Sequence, residues 1–168
     1  YELVVVNYSN QQEEPSTTPL NTYLTIIADH EEAVIYIDDE YAGMKEASKS
    51  VNIGSTHSWR IEYDLYHTES GTLTIENREP IVIEKKLRQA YGFLKVTTEP
   101  ESGAIVFIND KNVGTTPYSS DKMASGSYNV RVAKEMYKTA EQNITITDGE
   151  TTAIELTMPK NFANTTIK

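Results

Sequence analysis

The side chains that most readily do chemistry are few in this chain. It has no cysteine, which removes thiol nucleophiles, disulfides and thiolate-held zinc. Its three histidines are His30, His57 and His67. A histidine-based catalytic or metal site needs a second group converging on the ring in space. His30 has such neighbours in sequence, Asp29, Glu31 and Glu32, an oxygen-rich cluster of the kind that holds Ca²⁺. The cluster lacks the Asp-x-Asp-x-Asp-Gly order of a calcium loop, so a solvated loop accounts for it. Asp38-Asp39-Glu40 reads as a turn, because short acidic side chains bond to nearby backbone amides. The Gly-x-Ser-x-Gly elbow of serine hydrolases is absent, and so are the glycine-rich phosphate loops. With 25 acidic residues, chance carboxylate pairs are unavoidable, so a glycosidase-like pair carries no weight. The expectation is no catalytic residue, no metal ligand set, no cofactor, and hence no enzyme.

The bulk properties restrict the partners. The net charge is −10 and the isoelectric point about 4.8. Such a surface repels phosphate backbones and anionic lipid, which argues against nucleic acid and membrane surfaces. No apolar run approaches the roughly 20 residues that span a bilayer. A chain of 168 residues holds one ordinary domain or two small ones.

An internal repeat decides for two. Ala33-Val34-Ile35-Tyr36-Ile37-Asp38-Asp39 matches Ala104-Ile105-Val106-Phe107-Ile108-Asn109-Asp110 at an offset of 71. The same offset carries Gly43 onto Gly114, Tyr66 onto Tyr137, Leu73-Thr74-Ile75 onto Ile144-Thr145-Ile146, and Ile83 onto Ile154. The starts, Leu24-Thr25-Ile26 and Leu94-Lys95-Val96, differ by 70, so one residue is inserted in a loop before Ala104. Period-2 alternation predicts strands over 23–27, 34–37, 59–63, 73–75 and 81–87, and over their counterparts 93–97, 105–108, 128–132, 144–146 and 153–158. About six short strands per copy, with turns every 8 to 12 residues, predict an all-β chain of two tandem small β-sandwiches. Only Ala42 to Ser50 and Ser119 to Ala124 leave room for a helical turn. The domain organisation is then residues 1–21, a strand run at Leu3 to Val6 with a polar lead-in from Asn7 to Pro19; residues 22–91, the first copy, carrying −6 of the charge; residues 92–160, the second copy; and a tail, 161–168.

The aromatic residues allow two readings. Tyr8, Tyr23, Tyr36, Tyr41, Tyr63, Tyr66 and Trp59 concentrate in the first half. An exposed aromatic stripe could stack on sugar rings or anchor a protein partner. In the packing reading, Trp59 and Tyr128 fill equivalent core or edge positions of the two copies, and Tyr66 and Tyr137 pack on their own sheets.

The second copy carries a recognisable series: Phe93-Leu94-Lys95-Val96-Thr97-Thr98-Glu99-Pro100, then Gly103-Ala104, Val113-Gly114-Thr115-Thr116-Pro117, and Ser125-Gly126-Ser127-Tyr128. It resembles the PEGA domain, whose Pro-Glu-Gly-Ala stretch stands here as Pro100-Glu101-Ser102-Gly103-Ala104. The first copy departs from the pattern, with Asp29-His30-Glu31-Glu32-Ala33 and Gly43-Met44-Lys45 at the matching places. A lead-in followed by two copies also resembles envelope proteins of Bacteroides-type bacteria, in which PEGA copies run in series behind a signal peptide. The tail resembles the first strand of a third copy. The resemblance implies sandwiches of transthyretin or immunoglobulin type and an extracytoplasmic place, periplasm or cell surface, behind a signal peptide preceding Tyr1. It implies a spacer, scaffold or protein-interaction role, with an envelope protein or cell-surface polymer as partner, and it brings no catalytic residues. The alternative is a carbohydrate- or peptidoglycan-binding module using the first-half aromatics.

Overall fold

The computed structural model describes residues 20–161. The expected strand at Leu3 to Val6, the polar lead-in and the tail from Ala163 lie outside those residues. The described residues are all-β, and among them no helix is long and apolar enough to cross a membrane. They divide into two compact units, one of residues 20–61 with 70–85, the other of residues 62–69 with 86–161.

In the first copy the strands are β1 (Asn21–Ala28), β2 (Val34–Ile37), β3 (Glu40–Met44), β4 (Glu46–Asn52), β5 (Thr56–Glu62), β6 (Glu69–Thr74) and β7 (Ile81–Lys85). They form two sheets, ordered β4-β1-β7 and β3-β2-β5-β6. In the second copy the strands are β8 (Tyr91–Glu99), β9 (Ile105–Ile108), β10 (Lys111–Thr115), β11 (Tyr118–Ser119), β12 (Met123–Ala124), β13 (Gly126–Ala133), β14 (Ala140–Ile146) and β15 (Thr151–Thr157). Here β8 lies between β15 on one edge and the two short pieces β11 and β12 on the other, and the facing sheet is β10-β9-β13-β14. Strand for strand the topology is the same, with β11 and β12 in the place of β4. Neither of the two stretches with room for a helical turn is helical, and Ser119 to Ala124 is split between β11 and β12. Ala42 to Ser50 runs through β3 and β4, because Ala47 and Val51 alternate into the core.

Alternation explains the cores. Along β1 every second residue, Thr22, Leu24, Ile26 and Ala28, is buried, and along β8 the same holds for Gly92, Leu94, Val96 and Thr98. In the second copy Leu94 and Val96 meet Val106, Val130, Val132, Ile144 and Ile146 from the facing sheet. The last strand returns parallel to the first in each copy: Leu24 opposite Ile81 in one, Leu94 opposite Thr152 in the other. Gly92 is dictated by this closure. A Cβ there would lie 2.5 Å from the Thr147 carbonyl oxygen and 2.6 Å from that of Glu150.

Two polar devices hold the loops. The β2–β3 and β9–β10 hairpins turn on Asp38-Asp39 (φ 55° and 65°) and Asn109-Asp110 (φ 48° and 69°), the left-handed pairs of a tight hairpin turn. Asp38 donates its amide to the Ser58 carbonyl and accepts the Ser58 amide on its side chain, and Asn109 does the same with Asn129. The second device explains the motif of the second copy. The Ala104 amide donates to the Thr116 hydroxyl (3.0 Å), which lies 2.8 Å from the Thr98 hydroxyl, which donates to the Glu101 carbonyl (2.5 Å). Backbone bonds from Gly103 to Thr116 and from Thr116 to Ala104 complete the tie. The Pro100–Ala104 stretch and the Gly114–Pro117 stretch are thus each other's partners. In the first copy Lys45 stands where Thr116 does; with φ 68° it keeps a backbone bond to Ala33 and loses the side-chain relay.

Thr116→Val leaves the buried Ala104 amide without its side-chain acceptor and is expected to destabilise the second copy by about 2 kcal/mol. Thr116→Ser, which keeps the hydroxyl, should recover most of that loss in urea unfolding.

Candidate functional site

Three groups of polar and aromatic side chains stand out from the scaffold. The first repeats in both copies. Arg60 pairs with Asp39 (3.1 Å) and lies 4.2 Å over the Tyr36 ring, while Arg131 pairs with Asp110 (3.2 Å) and lies 4.2 Å over Phe107. Alternation on β2 and β5, and on β9 and β13, points these side chains away from the core to neighbouring places beside the hairpin turn. The arrangement clamps the turn in both copies.

The second group is a chain of contacts in the first copy. Asp38 Oδ2 lies 2.8 Å from Lys49 Nζ and 2.6 Å from His57 Nδ1, and His57 Nε2 lies 2.7 Å from Ser55 Oγ. Burial pushes the Asp38 carboxyl up, but hydrogen bonds from Lys49, His57 and the Ser58 amide outweigh it and hold the group at about 2. Sequence reasoning draws no nucleophile–base pairing, yet the fold aligns a serine, a histidine and an aspartate. Its only trace in the sequence is Ser55-x-His57 at the start of β5. The order matches that of a hydrolytic triad, but its surroundings differ. The Ser55 hydroxyl lies 2.5 Å from the Asn52 carbonyl, and a hydroxyl that donates there has no proton to pass to His57. The Gly54 and Ser55 amides, which would have to stabilise an oxyanion, donate instead to the carbonyls of Ile75 and Asn52.

The third group belongs to the second unit. Tyr63 stacks on Tyr66 (5.1 Å between centroids), Tyr66 meets Tyr91 edge-on (5.9 Å), and Tyr91 meets Phe93 edge-on (5.9 Å). Lys122 places its ammonium 4.7 Å over Tyr91. All four rings are half-buried. In the same unit His67 Nε2 lies 2.6 Å from Asp148 Oδ2, and the Ser125 hydroxyl donates to the other oxygen of that carboxylate. Those hydrogen bonds, from Ser125 first and then His67, lower the Asp148 pKa. The chain ties this cluster to the ring row through backbone bonds from Ser125 to Ala90 and from Gly149 to Tyr91.

The residues singled out in the sequence now have places. His30 pairs with Asp29 (2.8 Å) and Glu31 with Lys45 (3.9 Å). Among the described residues no three His, Asp or Glu side chains gather around one point that could hold a metal ion. Trp59 is buried, with its ring against Gly71, where an added Cβ would fall 2.9 Å from the indole. It does not stand where Tyr128 stands. Both face inward, but their separation of 69 falls one strand period short of the 71-residue repeat, so Trp59 matches buried Val130 and Tyr128 matches His57. Tyr66 and Tyr137 do correspond, each making an isolated bridge, to Gln89 and Lys160. Tyr66 joins the ring row, whereas Tyr137 donates to Glu101 (3.1 Å). Tyr23 and Tyr41 are exposed, and Tyr8 lies outside the described residues.

These observations define an all-β protein of two small sandwiches with one topology. The PEGA domain family model matches residues 91–161, so the resemblance carried by Pro100–Ala104, Gly114–Pro117 and Ser125–Tyr128 holds for the second copy. No curated protein matches the chain. Among solved structures, the TIE protein of Bacillus anthracis is similar at 16% identity over 83% of this chain and 34% of its own, with a TM-score of 0.43. The minor pilin of Streptococcus agalactiae is similar at 11% identity over 83% of this chain and 96% of its own (TM-score 0.45). A streptococcal ancillary pilin is similar at 13% identity over 87% of this chain and 64% of its own (TM-score 0.48). The chain thus spans about a third of the first of these and under two thirds of the last.

Two outcomes follow from the side chains of the first copy. Trp59→Ala is expected to destabilise that copy by roughly 3 to 5 kcal/mol, seen as an early melt. For Asp38, whose ordinary value is 3.8, the lowered pKa makes its stabilisation complete above about pH 4 and progressively lost as pH falls through about 2. Asp38→Asn keeps the Ser58 bond, as Asn109 keeps that to Asn129, but should flatten the stability–pH curve over that window in urea titrations.

Proposed function

We propose that this chain is a non-catalytic segment of a cell-envelope or surface protein, acting as a spacer or scaffold and as a docking module for other envelope proteins. The observation that carries the reading is the parallel pairing of first and last strands in each copy. A chain that enters along β8 and leaves along β15 in the same direction enters and exits at opposite ends of the module. Each copy then adds about one strand length, roughly 30 Å for nine residues, to whatever it connects. Among the described residues the outer strands β3, β6, β10 and β14 are sheet edges, the element to which a partner adds a strand. The PEGA match supports a place outside the cytoplasm, in the periplasm or at the cell surface, and the acidic surface argues against nucleic acid as partner.

A second reading, a carbohydrate- or peptidoglycan-binding module, is favoured by one observation, the row Tyr63–Tyr66–Tyr91–Phe93 beside the hydrogen-bonding cluster of His67, Asp148 and Ser125. Aromatic faces with nearby polar groups suit the apolar faces and hydroxyls of sugar rings. Trp59 is buried in the other unit.

Passing the protein over isolated peptidoglycan, outer membrane and soluble envelope fractions separates the two. Retention on peptidoglycan that Tyr66→Ala abolishes supports the second reading; capture of a discrete envelope protein, or no retention, keeps the first. A fluorophosphonate probe is expected to leave Ser55 unlabelled, and labelling that His57→Ala abolishes would overturn the non-catalytic reading.

A further inference from the structure

The two copies put different residues at one equivalent place in the fold. In the first, β4 pairs with β1 without a break from Asn52 to Glu46, and Asp38, Lys49 and His57 meet beside it. In the second, the matching residues are Asn109, Ser120 and Tyr128, none of them charged. The strand itself is interrupted. Ser119 pairs with Lys95 and Met123 with Gly92, so Ser120, Asp121 and Lys122 stand opposite only Phe93 and Leu94. This is a bulge of one residue, a device that re-aims side chains beside binding sites. Ser120 holds it in place, accepting the Leu94 amide on its hydroxyl (2.8 Å) and donating its own amide to the Leu94 carbonyl (2.9 Å).

Between the bulge and the β9–β10 hairpin lies a cavity of about 450 Å³, within the range of small-ligand sites. Ile108, Val113 and Met123 give it an apolar wall. Its polar lining has hydrogen-bonding capacity to spare. Among the described residues Asn109 engages its Oδ1 and has no hydrogen bond at Nδ2, and Lys111 has no partner; burial and, after it, the Asp121 charge raise the pKa of the Tyr118 hydroxyl. Lys111 and Lys122 set two positive charges against Asp121 around the cavity, while the net charge of −10 on the whole chain disfavours polyanions. An apolar wall with several separate donors and acceptors fits a pyranose ring. Lys122 lines the same cavity and lies over Tyr91, the ring that leads on to Tyr66 and Tyr63.

We propose that this cavity is the subsite for one ring of a neutral or N-acetylated glycan, whose chain continues past Lys122 onto the tyrosine row. The proposal rests on the carbohydrate-binding reading given above. Titrating the ¹⁵N-labelled protein with millimolar chitotetraose and cellotetraose, followed by amide chemical shifts, tests it. With at least one sugar, shifts are expected at 108–113 and 118–123 together with 63–66 and 91–93. Lys111→Ala and Asp121→Ala, both at exposed positions, should leave the fold intact and weaken binding roughly tenfold each. Shifts confined to 63–66 and 91–93, or affinity unchanged in both variants, would remove the cavity subsite and leave the carbohydrate reading standing. No shifts with either sugar would overturn both.

Discussion

Each module is organised by its opening strand. β1 and β8 have strands along both edges, and each gives every second side chain to the core. An interior strand leaves no backbone donor or acceptor to water, so its neighbours must keep strict register, since a slip of one residue would turn all its buried side chains outward. The other elements serve that constraint. The last strand lies parallel on one edge, the fourth antiparallel on the other, and the facing sheet supplies Val106, Val130 and Val132 against Leu94 and Val96. Gly92 sits in β8 because the turn preceding β15 comes too close for any side chain.

Loops fastened by polar groups allow the two copies to diverge without losing the fold. Thr98 and Thr116 anchor the loop after β8, and the first copy lacks that relay, with Lys45 in the place of Thr116. The β2–β3 turn gains what that loop gives up, because Asp38 adds Lys49 and His57 to the amide bond that Asn109 also makes. Charge in one copy stands where an opening stands in the other. A shared scaffold thus carries two surfaces of different character, and the acidic excess of the first copy is partly drawn into local ion pairs.

The architecture is largely legible in the sequence, because burial of one sheet face writes a period of two into the chain. The runs Val34–Ile37 and Ile105–Ile108 show this best: both strands are located to the residue, and the 71-residue offset foretells one topology twice. The extended course of Ala42 to Ser50 is harder to see, since Ala47 and Val51 are separated by Ser48, Lys49 and Ser50 and present little apolar contrast. Contacts between residues far apart in the chain leave no periodic trace. Asp38 meets His57 across 19 positions and His67 meets Asp148 across 81, so neither pairing is visible there. The tyrosine row is half visible: Tyr63 and Tyr66 stand out by type, but Tyr91 and Phe93 read only as the start of the next copy. The bulge at Ser120–Lys122 is hidden for a simpler reason, since one inserted residue in a short strand looks like a loop.

The parallel return of the last strand also governs how a module answers to pulling. Tension applied at the start of β8 and the end of β15 acts along two adjacent strands in opposite directions. Their hydrogen bonds, spread over seven residue pairs from Thr151–Phe93 to Thr157–Glu99, then share the load and must slide together, rather than opening one after another like a zipper. Rupture under force is governed by the barrier to unfolding rather than by equilibrium stability. A domain of modest thermodynamic stability can therefore be a strong mechanical link.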